Sequence, residues 1–263
     1  MKISFYGGAR EVTGACFLLE TEQTKILIDC GLFQGSRELS AANDEPFPFS
    51  AGDIDAVLVT HAHIDHVGRI PKLVAEGFRG AIFSAPGTRD LARLLLQDAL
   101  HLAERSDRAL STPQDVEQAL SLWQDVPYGG RRTIGDMAFT LHNAGHILGS
   151  AMIVLEAEGK KILHTGDLGN NPSVLLPPPE YFSGIEYMLI ESTYGNMAHE
   201  LPGERTLKLE RAVEDTVARG GTLMIPAFAA ERTQDILHLL NEMLLYKRIP
   251  DVPVFVDSPL AIR

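Results

Sequence analysis

"VLVTHAHIDHVGRIP" (residues 57–71) places three histidines and an aspartate within six positions, directly behind a short apolar run. A His-x-His-x-Asp-His pattern arises by chance in on the order of one chain in a thousand, so the cluster is a signal. The apolar residues read as a strand whose extended geometry breaks at Thr60. In a tight loop before a helix, His61, His63, Asp65 and His66 can converge on a small volume. Imidazole and carboxylate together suit zinc, and manganese or iron less tightly. The competing reading is a helix N-terminus with solvated polar residues.

Around this stretch, short β-like runs dominate the first half: "KISFYG", "ACFLLE", "KILIDC" and "AVLVTHA", each bounded by Gly, Asp or charged residues. "GRIPKLVAEGF" reads as a short helix ended by glycine, and "AIFSA" as the next strand. Residues 87–110 carry Leu91, Leu94, Leu95, Ala99 and Leu102 at helical spacing. A second helix opens at "STPQDVEQALSLW", capped by Ser111 or Thr112 with Pro113 in its first turn; Val116, Ala119, Leu120 and Trp123 form its stripe. These stripes read as core packing.

Strands return with "MAFTLHNA", "SAMIVLEAE" and "KKILHTGD", the last two joined as a hairpin. "NNPSVLLPPPEYF" is a surface loop and "IEYMLIEST" a buried strand. From residue 203 the texture becomes helix ("ERTLKLERAVEDTVARGG"), strand ("TLMIPAF"), helix ("ERTQDILHLLNEMLLYK") and strand ("VPVFVDSPLA"), the alternation of a parallel βαβ unit. The expected organisation is a first domain over 1–202 and the beginning of a second over 203–263.

The chain has 263 residues, 45% of them apolar, which is enough for one large core or two smaller ones. A formal charge of −12 without a polyacidic tail argues against a generally sticky nucleic-acid binder but leaves room for a local basic groove. Cys16 and Cys30 read as buried free thiols of a reducing compartment. The N-terminus is too short in apolar length for a signal peptide and no run reaches membrane-spanning length, so a cytoplasmic protein with no membrane partner is expected.

Three further runs end in a potential ligand: "KILIDCG" (Asp29), "TLHNAGHILGS" (His142 and His146) and "ILHTGDLG" (His164 and Asp167). Singly, each is an ordinary polar residue at a strand end; together they suggest loops gathered along one edge of a sheet system. At this point the sequence resembles the metallo-β-lactamase superfamily, and more narrowly its β-CASP branch of RNA-processing nucleases. "THAHIDH", "AGHILGSA" and "HTGDLG" match the superfamily's metal motifs. "LIESTYG" matches the motif that opens the β-CASP insertion, "IPAFAAERTQDIL" resembles that branch's FAxGRxQE segment with Glu231 in place of glycine, and "VDSPLA" resembles its next strand and turn.

The resemblance implies a metallo-β-lactamase-type αββα sandwich, incomplete here, followed by the start of a parallel βαβ β-CASP domain. It implies two zinc ions, with manganese or iron as alternatives. His61, His63 and His146 would hold the first, Asp65 and His66 belong to the second, and Asp167 bridges both. Asp29 would fix a ligand imidazole. A hydroxide shared by the two ions would cut RNA by in-line displacement. Glu191 would orient a histidine that protonates the leaving oxygen, so Asp65, Glu191 and Asp29 carry the catalytic roles. Ser258 and Arg232 are the candidate phosphate contacts, Arg232 competing with an ordinary salt bridge on its helix face. Glu231 facing the groove would repel a phosphate. His142 and His164 fit no ligand position of the pattern, and His101, His199 and His238 read as helix-surface or loop residues.

The branch places two more histidines further downstream, one the proton donor that Glu191 orients, the other a ligand of the second metal. The chain is therefore expected to be a fragment that keeps the first metal site, has a weakened second site and cleaves RNA poorly, by endo- or 5′–3′ exonucleolytic action. RNA is the expected partner, with a homodimer as the assembly allowed for. The rivals are a thioester or lactone hydrolase on the same scaffold, and a non-catalytic subunit of an RNA-processing complex.

Overall fold

A computed structural model describes residues 1–104 and 109–262. The chain forms two compact units, one of Met1–Asn171 and Leu176–Glu191, the other of Pro172–Leu175 and Ser192–Arg263.

The first unit holds two sheets. Strands β1 (Lys2–Phe5), β2 (Phe17–Glu20), β3 (Lys25–Ile28), β4 (Ala56–Leu58), β5 (Ala81–Ser84) and β6 (Trp123–Asp125) lie side by side in that order. The first three pair antiparallel, and β3 to β6 run parallel. The second sheet has the order β11 (Tyr187–Leu189), β10 (Lys160–His164), β9 (Ala151–Ala157), β8 (Met137–Asn143) and β7 (Arg131–Ile134). Only β10 and β11 pair parallel there.

Alternation along each strand builds the layers, because successive side chains point to opposite faces. Phe17, Leu19, Ile26, Ile28 and Leu58 of the first sheet share one buried core with Met137, Phe139, Leu141, Ile153 and Leu155 of the second. Their intervening neighbours Leu18, Leu27 and Val57 pack instead with helix residues Ile70, Leu73, Leu96, Val116 and Leu120. Each such large side chain contributes about 1.5–3 kcal/mol on full burial. The helices of this unit are α1 (Arg37–Ala41), α2 (Ile64–Val67), α3 (Ile70–Ala75), α4 (Thr88–Glu104) and α5 (Pro113–Ser121). Thr112 and Asp115 close a reciprocal capping box on α5, as the Thr-Pro start suggests. The outer face of the second sheet, Met152, Val154 and Leu163, is covered among the described residues by Phe182 of the proline-rich loop and by Leu168 and Ile185 on either side of it. The helix–sheet–sheet order agrees with the expected incomplete αββα sandwich, whose last helical layer is not among the described residues.

Several expectations need correction. Residues 105–108 of the helix expected over 87–110 lie outside the described residues. Trp123 leaves the helical stripe and opens β6, its indole donating to Ser84 Oγ at 2.8 Å. The run around β11 is an edge strand rather than a buried one: Tyr187 and Met188 are 53% and 56% exposed. It pairs with β10 alone, so its far side has no sheet neighbour among the described residues.

The second unit contains α6 (Pro202–Ala218), α7 (Arg232–Leu245) and α8 (Pro259–Ile262). Val213, Leu240, Met243 and Ile249 form its small core. The expected strands "TLMIPAF" and "VPVFVD" lie on either side of α7 but join no sheet. A strand needs a neighbour to take its N–H and C=O groups, and neither run has one among the described residues. Met224 and Phe255 are each 86% exposed as a result.

Candidate metal centre

The candidate site residues lie in loops that follow the C-terminal ends of strands, and in one helical turn. Asp29 follows β3, Thr60, His61 and His63 follow β4, His146 lies beyond β8, Asp167 beyond β10 and Glu191 beyond β11. Asp65 and His66 sit on α2, the single turn that closes the metal loop.

The histidine-rich loop is fixed from behind by Asp29. This residue is fully buried and has φ of 57°, a left-handed conformation that aspartate tolerates better than most residues. Its Oδ1 accepts the Thr60 N–H at 2.8 Å; its Oδ2 accepts the Thr60 hydroxyl at 2.7 Å and His66 Nδ1–H at 2.8 Å. That last contact holds the His66 ring with Nε2 toward Asp167 Oδ1, 3.4 Å away. Backbone bonds complete the lock: Cys30 N–H donates to His66 O and Leu32 N–H to Ile64 O. Gly31 lies so close that an added Cβ would sit 1.5 Å from Asp65 O, so only glycine fits there.

His146 is held the same way. The buried Ser150 hydroxyl accepts N–H bonds from His146 at 3.0 Å and Ile147 at 3.2 Å. Asn143 accepts from Gly145 N and donates to Pro177 and Pro178 carbonyls, tying the proline-rich loop down beside this turn. Gly169, two residues past Asp167, lies against Gly145, with its N–H donated to Ala144 O at 2.9 Å.

These constraints bring His61, His63, His146 and Asp167 together, with one ligand atom from each lying within 4.8 Å of the others. His63 Nδ1 is 3.0 Å from His61 Nε2 and 3.2 Å from His146 Nε2. Asp167 Oδ2 is 3.8 Å and 3.6 Å from those two Nε2 atoms. A tetrahedral ion with bonds near 2.0–2.1 Å has ligand–ligand edges of about 3.3 Å, so these side chains fit a cation at their centre. Burial first, and then the neighbouring imidazoles, push His61 well below the ordinary histidine range. Burial is also the main cause that brings His63 and His146 down to about 4. All three therefore offer lone pairs at neutral pH, which metal binding requires.

The other half of the centre carries the charge. Burial would depress His66, but the Asp29 and Asp167 carboxylates outweigh it and lift the imidazole to about 10. Burial likewise opposes ionisation of Asp167, yet hydrogen bonding to His66 and the surrounding imidazoles bring it to about 2. Asp65, raised by burial, has Oδ2 4.0 Å from His66 Nε2. A second cation on this side would find the Asp65 and Asp167 carboxylates, and would have to displace the Nε2 proton of His66 to be held by it as well.

Glu191 is half-buried, and its backbone N–H donates to Thr165 Oγ1 at 3.2 Å. His142 pairs with Glu180 at 2.9 Å, and His164 Nδ1 accepts the Gly166 N–H at 3.1 Å, so both have structural partners. Ser258 and Arg232 belong to the second unit. Ser258 Oγ accepts from Ala261 N–H at the start of α8, and Arg232 pairs with Asp235 at 3.5 Å, the helix-face salt bridge weighed against a phosphate contact. The sequence assigns no positioning role to Thr60 or Ser150, although both lie within the motifs "THAHIDH" and "AGHILGSA"; their signal is position alone, a hydroxyl directly before His61 and another four residues after His146.

With this geometry in place, residues 9–227 match the model of the metallo-beta-lactamase superfamily. The chain belongs to that superfamily. It is 40% identical over 263 residues to Ribonuclease TTHA0252 of Thermus thermophilus, covering all of this chain and 59% of the relative. It is 38% identical to Transcription termination factor FttA of Methanocaldococcus jannaschii, covering 98% of this chain and 42% of the relative. An RNase J-like protein of the same archaeon is 34% identical, covering 98% and 58%. The chain thus spans 59% or less of the length of these relatives. Their names are consistent with the β-CASP branch that "LIESTYG" and "IPAFAAERTQDIL" resemble.

Proposed function

We propose that this chain is part of a metal-dependent phosphodiesterase that cleaves RNA. The observation that carries the reading is the convergence of His61, His63, His146 and Asp167 on one point in a chain whose relatives are named ribonucleases. In this reading His61, His63 and His146 hold one zinc ion, Asp65 and His66 contribute to a second, and Asp167 serves both. Manganese or iron are the alternatives. Such ions, when bound, lower the pKa of water toward neutrality and neutralise phosphate oxygens.

The chain's own residues do the rest. Asp29 keeps the Nδ1 proton of His66 and so aims its Nε2 inward. Glu191 orients the group that protonates the leaving oxygen, and Ser258 and Arg232 hold the RNA backbone. Residues 1–202 form the catalytic domain and 203–263 part of the domain that receives RNA, in a cytoplasmic protein whose assembly is a homodimer. No described helix is long and apolar enough to cross a membrane.

The test is metal analysis of the chain together with labelled RNA and a panel of small thioesters and lactones, each with and without His63→Ala. Zinc content near one equivalent and RNA cleavage abolished in the variant support the reading. A metal-free protein, or ester turnover without RNA cleavage, overturns it.

A further inference from the structure

We propose that Thr60 is a positioning residue that fixes the tautomer of His61, and thereby leaves the nitrogen that faces the metal centre, Nε2, without a proton. The inference rests on the metal-centre reading above. Its argument is a count of protons and lone pairs around one buried hydroxyl. Thr60 is 1% exposed, and its Oγ1 lies 2.7 Å from Asp29 Oδ2, 3.0 Å from His61 Nδ1 and 3.3 Å from His66 Nδ1.

A hydroxyl has one proton to give and two lone pairs with which to accept. Asp29 is an acceptor throughout, so the Thr60 proton goes to its Oδ2. The His66 Nδ1 proton goes to the same oxygen, at 2.8 Å, its shorter contact. The remaining close neighbour, His61 Nδ1, must then be a donor to Thr60 Oγ1. With its proton held on Nδ1, His61 presents a bare Nε2 toward His63 Nδ1 at 3.0 Å and Asp167 Oδ2 at 3.8 Å. The opposite tautomer would set two lone pairs against each other at Thr60 and point an N–H at the place of the cation.

The Thr60 backbone is anchored: its carbonyl accepts the Ala151 N–H at 2.7 Å, and Gly166 approaches so closely that an added Cβ there would lie 2.7 Å from the Thr60 Cβ. One hydroxyl and one carboxylate therefore preset two of the three imidazoles that flank Asp167, those of His61 and His66. Partners that orient ligand imidazoles typically change metal affinity 10–100-fold when removed.

The experiment compares Thr60→Val, which keeps the shape and deletes the hydroxyl, with Thr60→Ser, which keeps the hydroxyl. Two quantities are read: the ¹⁵N imidazole shifts of His61 in metal-free protein, and zinc affinity by chelator competition. Expected are a wild-type and Thr60→Ser ring protonated on Nδ1, a mixed ring in Thr60→Val, and zinc affinity lowered about 10–100-fold in Thr60→Val alone. Thr60→Ala replaces Thr60→Val if the latter does not fold. An unchanged His61 tautomer in the hydroxyl-free variant overturns the proposal whatever the zinc result. Failure of the wild type to bind zinc overturns the metal reading instead, and the tautomer measurement still decides the role of Thr60.

Discussion

Gly169→Ala tests whether the metal centre is held by contact between backbones. Gly169 does not have a positive φ, so alanine is acceptable to its own backbone. What it lacks is room: the new Cβ would lie 1.6 Å from Gly145 O, 2.1 Å from Gly145 C and 2.8 Å from His146 N. Ordinary contact begins near 3.5 Å, so the two loops must part by about 2 Å. The Gly169 N–H to Ala144 O bond crosses the same gap and is lost with it. Overpacking of this kind costs about 1–3 kcal/mol, and a lost buried hydrogen bond about 1 kcal/mol more. The chemical consequence is larger, because the displaced residue next to Gly145 is His146, whose Nε2 must stay 3.6 Å from Asp167 Oδ2. Urea denaturation should show a loss of about 2–4 kcal/mol, and metal analysis a loss of bound metal. Gly159→Ala is the control: its φ of +71° makes alanine strained, but nothing lies within 4 Å of the added Cβ. It should cost about 1–2 kcal/mol and leave metal content unchanged. A Gly169→Ala protein that keeps both its stability and its metal would refute the reasoning.

Asp29→Asn removes the charge that holds His66 protonated on Nδ1 and should weaken zinc binding about 10–100-fold by chelator competition; unchanged affinity would make Asp29 a bystander. Glu231 is the centre of a γ-turn, with φ 64° and ψ −59° and the Arg232 N–H donated to Ala230 O at 2.9 Å. Such strain costs about 1–3 kcal/mol, so Glu231→Gly should raise stability by about 1 kcal/mol in a denaturant titration after glycine's own entropy loss. Burial first, then the Asp235 carboxylate, push the Glu231 carboxyl from 4.5 up to about 7. Its folded form therefore resists ionisation. The native state is relieved of that penalty below pH 4.5, and loses stability as pH rises from 4.5 to about 7. For a half-buried group the loss is about 1–2 kcal/mol after discounting for solvent, and Glu231→Gln should abolish that part of the pH profile.

The sequence made the strands and the histidine loop legible because both are written in local pattern. Alternation in "MAFTLHNA" and "SAMIVLEAE" marks the two faces of β8 and β9, and each ligand follows the run that carries it. β7 was invisible for the opposite reason: Arg131, Arg132 and Thr133 are exposed, and only backbone pairing with β8 makes them a strand. "TLMIPAF" misled because apolar composition reports a preference for burial, whereas a strand is defined by a partner. Gly31, Gly169, Thr60 and Ser150 act through loops that meet only after folding. Glu231 was noticed as a departure from glycine, and the positive φ supplies a physical reason why glycine suits that position.

The two kinds of residue at this centre should separate in a stability measurement. His61, His63 and His146 crowd three nitrogens around one point, where a single proton on His63 Nδ1 can serve only one of its two Nε2 neighbours at 3.0 and 3.2 Å, so the internal attraction is at most about one neutral hydrogen bond. The glycine contacts, Ser150 and Asp29 hold them there regardless. Removing a ligand should then cost the metal-free fold little. His63→Ala is expected to change metal-free stability by no more than about 1 kcal/mol, the worth of one neutral hydrogen bond, since His63 is already neutral and its ring is only partly buried. With zinc at a hundred times its dissociation constant the wild type gains about 2.7 kcal/mol, and the variant should gain far less. Thermal melts with and without zinc read both numbers. If His63→Ala destabilised the metal-free protein as much as Gly169→Ala, the ligands would be holding the loops rather than the loops the ligands, and the order of cause argued from the backbone contacts would be reversed.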